Sequence, residues 1–293
     1  GMLSHKIVIG SAQFGLDYGI ANINGKVSFD EVKKIITYAQ LYQVSTIDTA
    51  ISYGDSEVSM GKIGVNEWKI VTKLPKIPET CESVDSWISD NIQKSLSRLN
   101  VTKIEAILLH NPMQLLGKNG VEIWSSLRHH QSLGIVNKVG FSIYDPIELD
   151  KLYFQFKPDV VQFPYNVLDR RIETSKWLRR LRNDKVETHA RSVFLQGLLL
   201  MNKNNRPKKF SQWEDIWLLW DNFLSKKNIT AMHACIGFVL LNKNIDKIVV
   251  GVDSKNQLQE ILDFDNNIIC LDDFVRLTSN DVDLINPSRW GEG

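Results

Sequence analysis

Eight short strand-like runs, each followed by sequence of helical spacing, constrain this chain more than any other feature. The runs lie at 7–10, 44–48, 70–73, 104–109, 135–141, 160–163, 186–193 and 248–251. After Ser28, apolar residues recur at Val32, Ile35, Ile36, Ala39 and Tyr42, a helical period, and Ser28 with Glu31 reads as a capping box. Helices are likewise expected from Ser56, over 83–99, 121–133, 146–154, 171–181, 214–224, 230–241 and 257–264. Alternating βα units of about 30–40 residues predict a parallel sheet covered by helices. Eight of them in 293 residues predict a single (β/α)8 TIM barrel over about 6–265, one domain with a polar tail at 266–293. The tail is expected to be partly frayed, with Trp290 a candidate for docking. The competing architecture, a doubly wound open sheet for nucleotides, would carry a Gly-x-Gly-x-x-Gly turn after the first strand, and that turn is missing. The polar, basic segment 202–209 is expected to be a mobile loop over the barrel mouth.

Composition narrows the function classes. Lys+Arg 35 against Asp+Glu 34 gives no electrostatic case for nucleic acid or an anionic membrane surface. No run of about 18 apolar residues suggests a span, and no long apolar stretch near the start suggests a secretory signal. The three cysteines, Cys81, Cys235 and Cys270, are widely separated and fit a reducing compartment, so a cytoplasmic address is expected.

Three of the strand runs end in chemistry. The second ends at Asp48, with Tyr53 five residues on, followed by Gly54; the third ends at Lys73; the fourth runs into His110. Singly, each has an ordinary explanation: a turn cap, a packed loop tyrosine, a snorkelling lysine, a hydrogen-bonded histidine. Together they are complementary, and in a closed barrel they meet at one mouth. A phenol with a pKa of about 10 releases its proton more readily beside an ammonium. A carboxylate holds that ammonium charged, and an imidazole can orient a substrate carbonyl. The set amounts to a tuned general acid for protonating oxygen while carbon accepts a hydride. The hydride must come from a cofactor, since no side chain supplies one. A metal hydrolase built on His110, His189 and His233 would need a close His-x-His pair, and none exists, so no metal is expected.

These segments resemble those of the aldo-keto reductase family. Asp48-Thr49-Ala50-Ile51-Ser52-Tyr53-Gly54 is similar to the segment bearing the acid and tyrosine, Val71-Thr72-Lys73 to the lysine strand, and Leu108-Leu109-His110 to the histidine strand. The opening strand and loop (9–15), Val139-Gly140-Phe141-Ser142, the run 161–166, the run 191–199 and the loop beginning at Val250 extend the resemblance in order from about residue 7 to about 264. It implies a barrel binding NADPH or NADH across its C-terminal mouth and reducing a small aldehyde or ketone. Tyr53 would be the proton donor, Lys73 and Asp48 its partners, and His110 the carbonyl-orienting group. Ser142 and Gln162 would bond the nicotinamide carboxamide. Ser192, Phe194 and Gly197 would line the pyrophosphate path, and Gly251, Ser254, Gln257 and Glu260 would meet the adenosine half.

Three positions depart from the family pattern. Ile143 stands where asparagine commonly follows the fifth-strand serine. Arg191 replaces an aromatic that often stacks on the nicotinamide; it could stack in turn or contact the cofactor's phosphates. Asp253 stands where many members carry an arginine for the 2′-phosphate, with Lys255 two residues on as a potential substitute. The expectation is weaker discrimination for NADPH than the family norm. The segment 12–19 is similar to that of bacterial members associated with surface-sugar pathways, which implies a sugar-linked carbonyl. A monomer or weak oligomer is expected, and the rival function is a cofactor-binding regulatory member without turnover.

Overall fold

The computed structural model describes residues 2–20, 25–264 and 269–291. Strands β1 (Ile7–Gly10), β2 (Thr46–Asp48), β3 (Lys69–Leu74), β4 (Ile104–Leu109), β5 (Val136–Ser142), β6 (Val160–Pro164), β7 (Glu187–Arg191) and β8 (Lys247–Gly251) pair in sequence order. Every pairing is parallel, and β8 returns to β1 with Ile7 opposite Ile248, closing the barrel. The expected (β/α)8 barrel is the fold. The proposed boundary between barrel and tail, at 265 and 266, lies outside the described residues.

Helices α1 (Phe29–Leu41), α2 (Ser56–Ile63), α3 (Val84–Leu99), α4 (Gly120–Ser132), α5 (Ile147–Leu152), α6 (Trp177–Asn183), α7 (Glu214–Lys227), α8 (Ala231–Leu240) and α9 (Lys255–Leu262) alternate with the strands, with both α7 and α8 between β7 and β8. Their apolar faces seal the outside of the barrel: Ile35 and Ile36 of α1, Ile88 and Ile92 of α3 and Leu258 of α9 are buried in one continuous core with the strands. Inside the barrel lies a second, separate cluster of Val71, Ala106, Leu108 and Val160. Side chains alternate along a strand, so two residues beyond Val71 and Val160 the same inward face presents Lys73 and Gln162. The apolar plug is thus the floor on which the mouth's polar residues stand.

Several local expectations are corrected. Ser28 accepts the Glu31 N–H at 3.2 Å, but the Glu31 carboxylate accepts the Lys255 N–H at 2.8 Å, so it caps α9 across space and does not close a reciprocal box. Tyr42 lies past the end of α1 and is exposed. The helix expected over 171–181 is broken: Lys176 is left-handed at φ 72°, and a turn at Arg171–Thr174 precedes α6. Segment 202–209 is pinned, because Arg206 makes a two-pronged bond to Asp221 (2.6 and 2.9 Å) and lies over Trp217. The described tail, 269–291, packs onto the barrel with Leu284 and Ile285 buried. Trp290 meets Phe210 edge-on, ring centres 4.9 Å apart, and donates to Leu284 O at 2.9 Å. No helix among the described residues is long and apolar enough to cross a membrane.

Candidate active site

Asp48 ends β2 and Lys73 is the last residue but one of β3, and both are nearly dry, at 3% and 1% exposure. Two charges taken out of water must pair. Lys73 Nζ lies 2.5 Å from Asp48 Oδ1 and 3.0 Å from Thr49 O. The second carboxylate oxygen, Oδ2, accepts Gln162 Nε2 at 2.7 Å. Burial presses the Lys73 ammonium below its ordinary pKa, and Asp48 opposes that shift.

Tyr53 reaches the mouth from the loop after β2. That loop is braced by backbone contact: an added Cβ at Gly15 would sit 1.8 Å from Tyr53 O, and one at Gly54 (φ 56°) 2.3 Å from Gly15 O. The glycine-rich opening loop therefore approaches the tyrosine loop's own backbone. Lys73 Nζ is 5.3 Å from the Tyr53 ring centre, and His110 lies edge-on with ring centres 6.0 Å apart. The phenol makes no hydrogen bond to another described residue. Burial pushes its pKa well above the ordinary phenol range, Asp48 pushes the same way, and Arg191 pulls against both. The pull expected from Lys73 on the phenol does not appear: the ammonium is paired with Asp48, whose own charge raises the phenol's pKa. Arg191 is the cation that acts.

His110 is held by Ser52 Oγ at 3.3 Å from Nδ1. Burial, then the charges of Lys73 and Arg191, depress its pKa to about 4. It is neutral near pH 7 and can donate from one ring nitrogen while accepting at the other.

These groups line one elongated cavity of about 940 Å³. Ser142 and Gln162 stand opposite each other in the β5–β6 register and both face it. A carboxylate oxygen only accepts, so Gln162 must turn its Nε2 to Asp48; its Oε1 has no partner among the described residues and is free to accept from an amide. Ser192, Phe194 and Gly197 line the cavity past β7, in a stretch where Ser192, Leu195, Gln196 and Gly197 all have positive φ. Gly251, Asp253 and Gln257 line its β8 end, with the Asp253 N–H donating to Gln257 Oε1 at 2.7 Å. Three anticipated residues lie outside it. Ser254 caps α9 by accepting the Gln257 N–H, Lys255 places Nζ 5.2 Å over the Tyr38 ring on α1, and Glu260 is exposed with its carbonyl bonded to His233.

Sequence reading missed other residues. Tyr144 and Arg171 line the mouth, as do Ile285 and Asn286 of the tail. Arg171 is clamped by Asp169 at 2.8 and 2.9 Å and reaches Asp145 at 3.2 Å. The Arg-Arg pair at 170–171 was a visible signal; the tail had none. Glu57 was missed too: buried on α2, it takes Thr72, Ser95 and Arg98 and ties α2 and α3 to the outer face of β3. Two further histidines are tied to neighbours within the fold. His189 bonds Glu187 inside the barrel, and His130 is buried against Ser126 O. No cluster of three or more metal-ligating side chains occurs among the described residues.

Comparison with known proteins agrees with this architecture. A curated relative, an uncharacterized oxidoreductase of Schizosaccharomyces pombe, is 27% identical over 117 residues; the match covers 37% of this chain and only 41% of that protein. Among solved structures, an aldo-keto reductase from Bacillus halodurans in its holo form is 16% identical over 88% of this chain and 85% of its own, with a TM-score of 0.69. Glycerol dehydrogenase from Gluconobacter oxydans is 20% identical over 91% of this chain and 88% of its own, also with a TM-score of 0.69. At such identities these two likenesses show the barrel alone. The model of the aldo/keto reductase family matches residues 6–278, and with that match over nearly its whole length the chain belongs to the aldo/keto reductase family.

Proposed function

We propose that this protein, one barrel domain with its docked tail, is a NAD(P)H-dependent reductase of a small aldehyde or ketone, with Tyr53 as proton donor. The observation that carries the reading is the Tyr53 phenol. It has no hydrogen-bond partner among the described residues, faces the cavity and keeps its proton at neutral pH beside a neutral His110 and a dry Lys73–Asp48 pair. A bound nicotinamide cofactor would supply the hydride to the carbonyl carbon. The residues fit it: Ser142 and the free Oε1 of Gln162 suit the carboxamide, and the positive-φ turn at 192–197 suits a close backbone approach to phosphates. With Nδ1 turned to Ser52, His110 would donate from Nε2 to the substrate oxygen and set its direction. Tyr53 passes its proton to that oxygen as the C–H bond forms. The resulting phenolate draws on the positive field of Arg191 until water reprotonates it.

The test is Tyr53→Phe with a panel of aldehydes. Carbonyl-dependent loss of the reduced-nicotinamide absorbance should fall by at least about 100-fold, while NADH affinity is retained. Equal turnover by the variant would overturn the assignment. NADH binding with no turnover by the parent on any carbonyl would favour a regulatory protein.

The cofactor reading extends to NADH. At the β8 end the cavity offers Asp253, Gln257 and Gly251 and no Lys or Arg among its described lining, while Lys255 is turned to α1. A carboxylate there suits a ribose 2′-hydroxyl better than a 2′-phosphate. NADH should serve at least as well as NADPH; a kcat/KM preference for NADPH beyond about 100-fold would count against this.

A further inference from the structure

We propose that Arg191 is a redox-state filter for the cofactor: its guanidinium sets the site against the cationic ring of the oxidised nicotinamide and leaves the neutral, reduced ring free to bind. The protein then loads reduced cofactor even in an excess of the oxidised form. The inference rests on the cofactor reading above and goes beyond it, to the direction in which the site works.

Backbone register and hydrogen bonds fix where Arg191 stands. It ends β7 opposite Pro164 of β6 and lines the same cavity as Ser142 and Gln162. Its side chain reaches from β7 to the end of β5: Nη2 donates to Ile143 O at 2.8 Å, while Nη1 donates to Ser192 Oγ at 3.3 Å. Ile143 directly follows Ser142, and Ser142 stands opposite Gln162, whose Oε1 is the free acceptor. One arm of the guanidinium is therefore tied to the residue beside the pair that suits a carboxamide. A nicotinamide that meets Ser142 and Gln162 has Arg191 as its neighbour. The guanidinium carbon also lies 4.8 Å from the Tyr144 ring centre, so the cation is held at two nitrogens and beside an aromatic ring.

The charge at this place is unmatched. The other two cations of the described wall have carboxylate partners: Lys73 has Asp48, and Arg171 has Asp169 and Asp145. Among the described residues no carboxylate lies within 4.0 Å of Arg191, and both of its hydrogen-bond acceptors are neutral. Loss of a hydride turns a neutral nicotinamide ring into a cation and changes nothing at the phosphates. Like charges a few ångströms apart in a cavity repel far more than in water. That repulsion falls on the oxidised ring only. The reduced ring is flat and neutral, and a guanidinium can lie against such a face. A neutral side chain at 191 would not tell the two forms apart.

The test is calorimetric measurement of the dissociation constants of NADH, NAD+, NADPH and NADP+ for the parent, Arg191→Gln and Arg191→Lys, with aldehyde reduction assayed alongside. In whichever pair binds, the parent should hold the reduced form at least about thirtyfold more tightly than the oxidised form. In Arg191→Gln the oxidised form should gain about tenfold, with the reduced form kept within about threefold, which also reports an intact fold. Arg191→Lys, which keeps the charge, should retain most of the parent's ratio. A parent that binds both redox forms equally overturns the filter, and if it still reduces aldehydes the reductase reading stands. An Arg191→Gln variant that loses affinity for both forms alike would place Arg191 on the phosphates and end the proposal. Selective binding of reduced cofactor through Arg191, by a parent that reduces no aldehyde, would keep the filter and overturn the reductase reading.

Discussion

His110 shows what burial does to a single residue in this site. An ordinary imidazole begins to charge near pH 6.5, whereas this one stays neutral to about pH 4. The unfolded chain therefore binds a proton over a window in which the folded chain does not. The folded-state pKa lies below the unfolded one, so the stabilising contribution is complete above about pH 6.5 and is lost as pH falls toward 4. The loss is on the order of 3 kcal/mol at most, less what solvent at this partly open site screens. Urea midpoints measured between pH 7 and pH 4.5 should drop further for the parent than for His110→Gln, and parallel slopes would refute it. Lys73 makes the opposite kind of case, since its loss strands a dry carboxylate. Lys73→Met should cost about 3–5 kcal/mol in unfolding free energy. Replacing Asp48 by leucine in the same chain should restore part of that, and an unchanged midpoint in the single variant would show the pair to be wetter than it looks. Asp48, Tyr53, Lys73 and His110 were legible in sequence because each is a polar residue at or just beyond the end of an apolar strand. Arg191 was legible only as a departure; its missing counter-ion is visible only when every neighbour has been placed.

The elements themselves were legible through period and punctuation. Ser83, Thr230 and Ser254 cap their helices by accepting a backbone N–H three residues on, and Gly134, at φ 77°, follows the end of α4. The misjudged points were those where a distant element supplied the partner. Glu31 caps α9 instead of its own helix, and Glu57 on α2 bonds β3 and α3. The same logic governs the contact between the opening loop and the tyrosine loop. Gly15 and Gly54 let two backbones touch, and any side chain at Gly15 must push Tyr53 O away. Gly15→Ala should destabilise the protein by about 1–3 kcal/mol. It should also lower kcat/KM by at least about tenfold through the displaced phenol. Unfolding curves and carbonyl reduction measured on one preparation check both halves, and a variant of full activity would show that the loop yields without moving Tyr53.

At the scale of the whole molecule, the described tail supplies part of the cavity wall. Trp290 rests on Phe210, the Trp213 indole donates to Asp281 at 3.0 Å, and Ile285 to Ser288 face the space beyond Tyr53. If the carbonyl substrate lies beside the tail, as the reductase reading proposes, Trp290→Ala should raise its KM by about threefold or more while leaving the NADH dissociation constant unaltered. Equal KM values would mean that the tail only covers the barrel. By itself the amino-acid sequence determined the alternation of eight strands and their helical cover, because burial on both faces of a parallel strand demands an unbroken apolar run and a helix must present an apolar stripe. It also determined which polar residues end those runs. Tertiary structure alone decided which of those residues share a space, which charges are neutralised by a partner and which is left over. Those outcomes depend on the closure of β8 onto β1 and on contacts between segments hundreds of residues apart, and no local pattern along the chain encodes them.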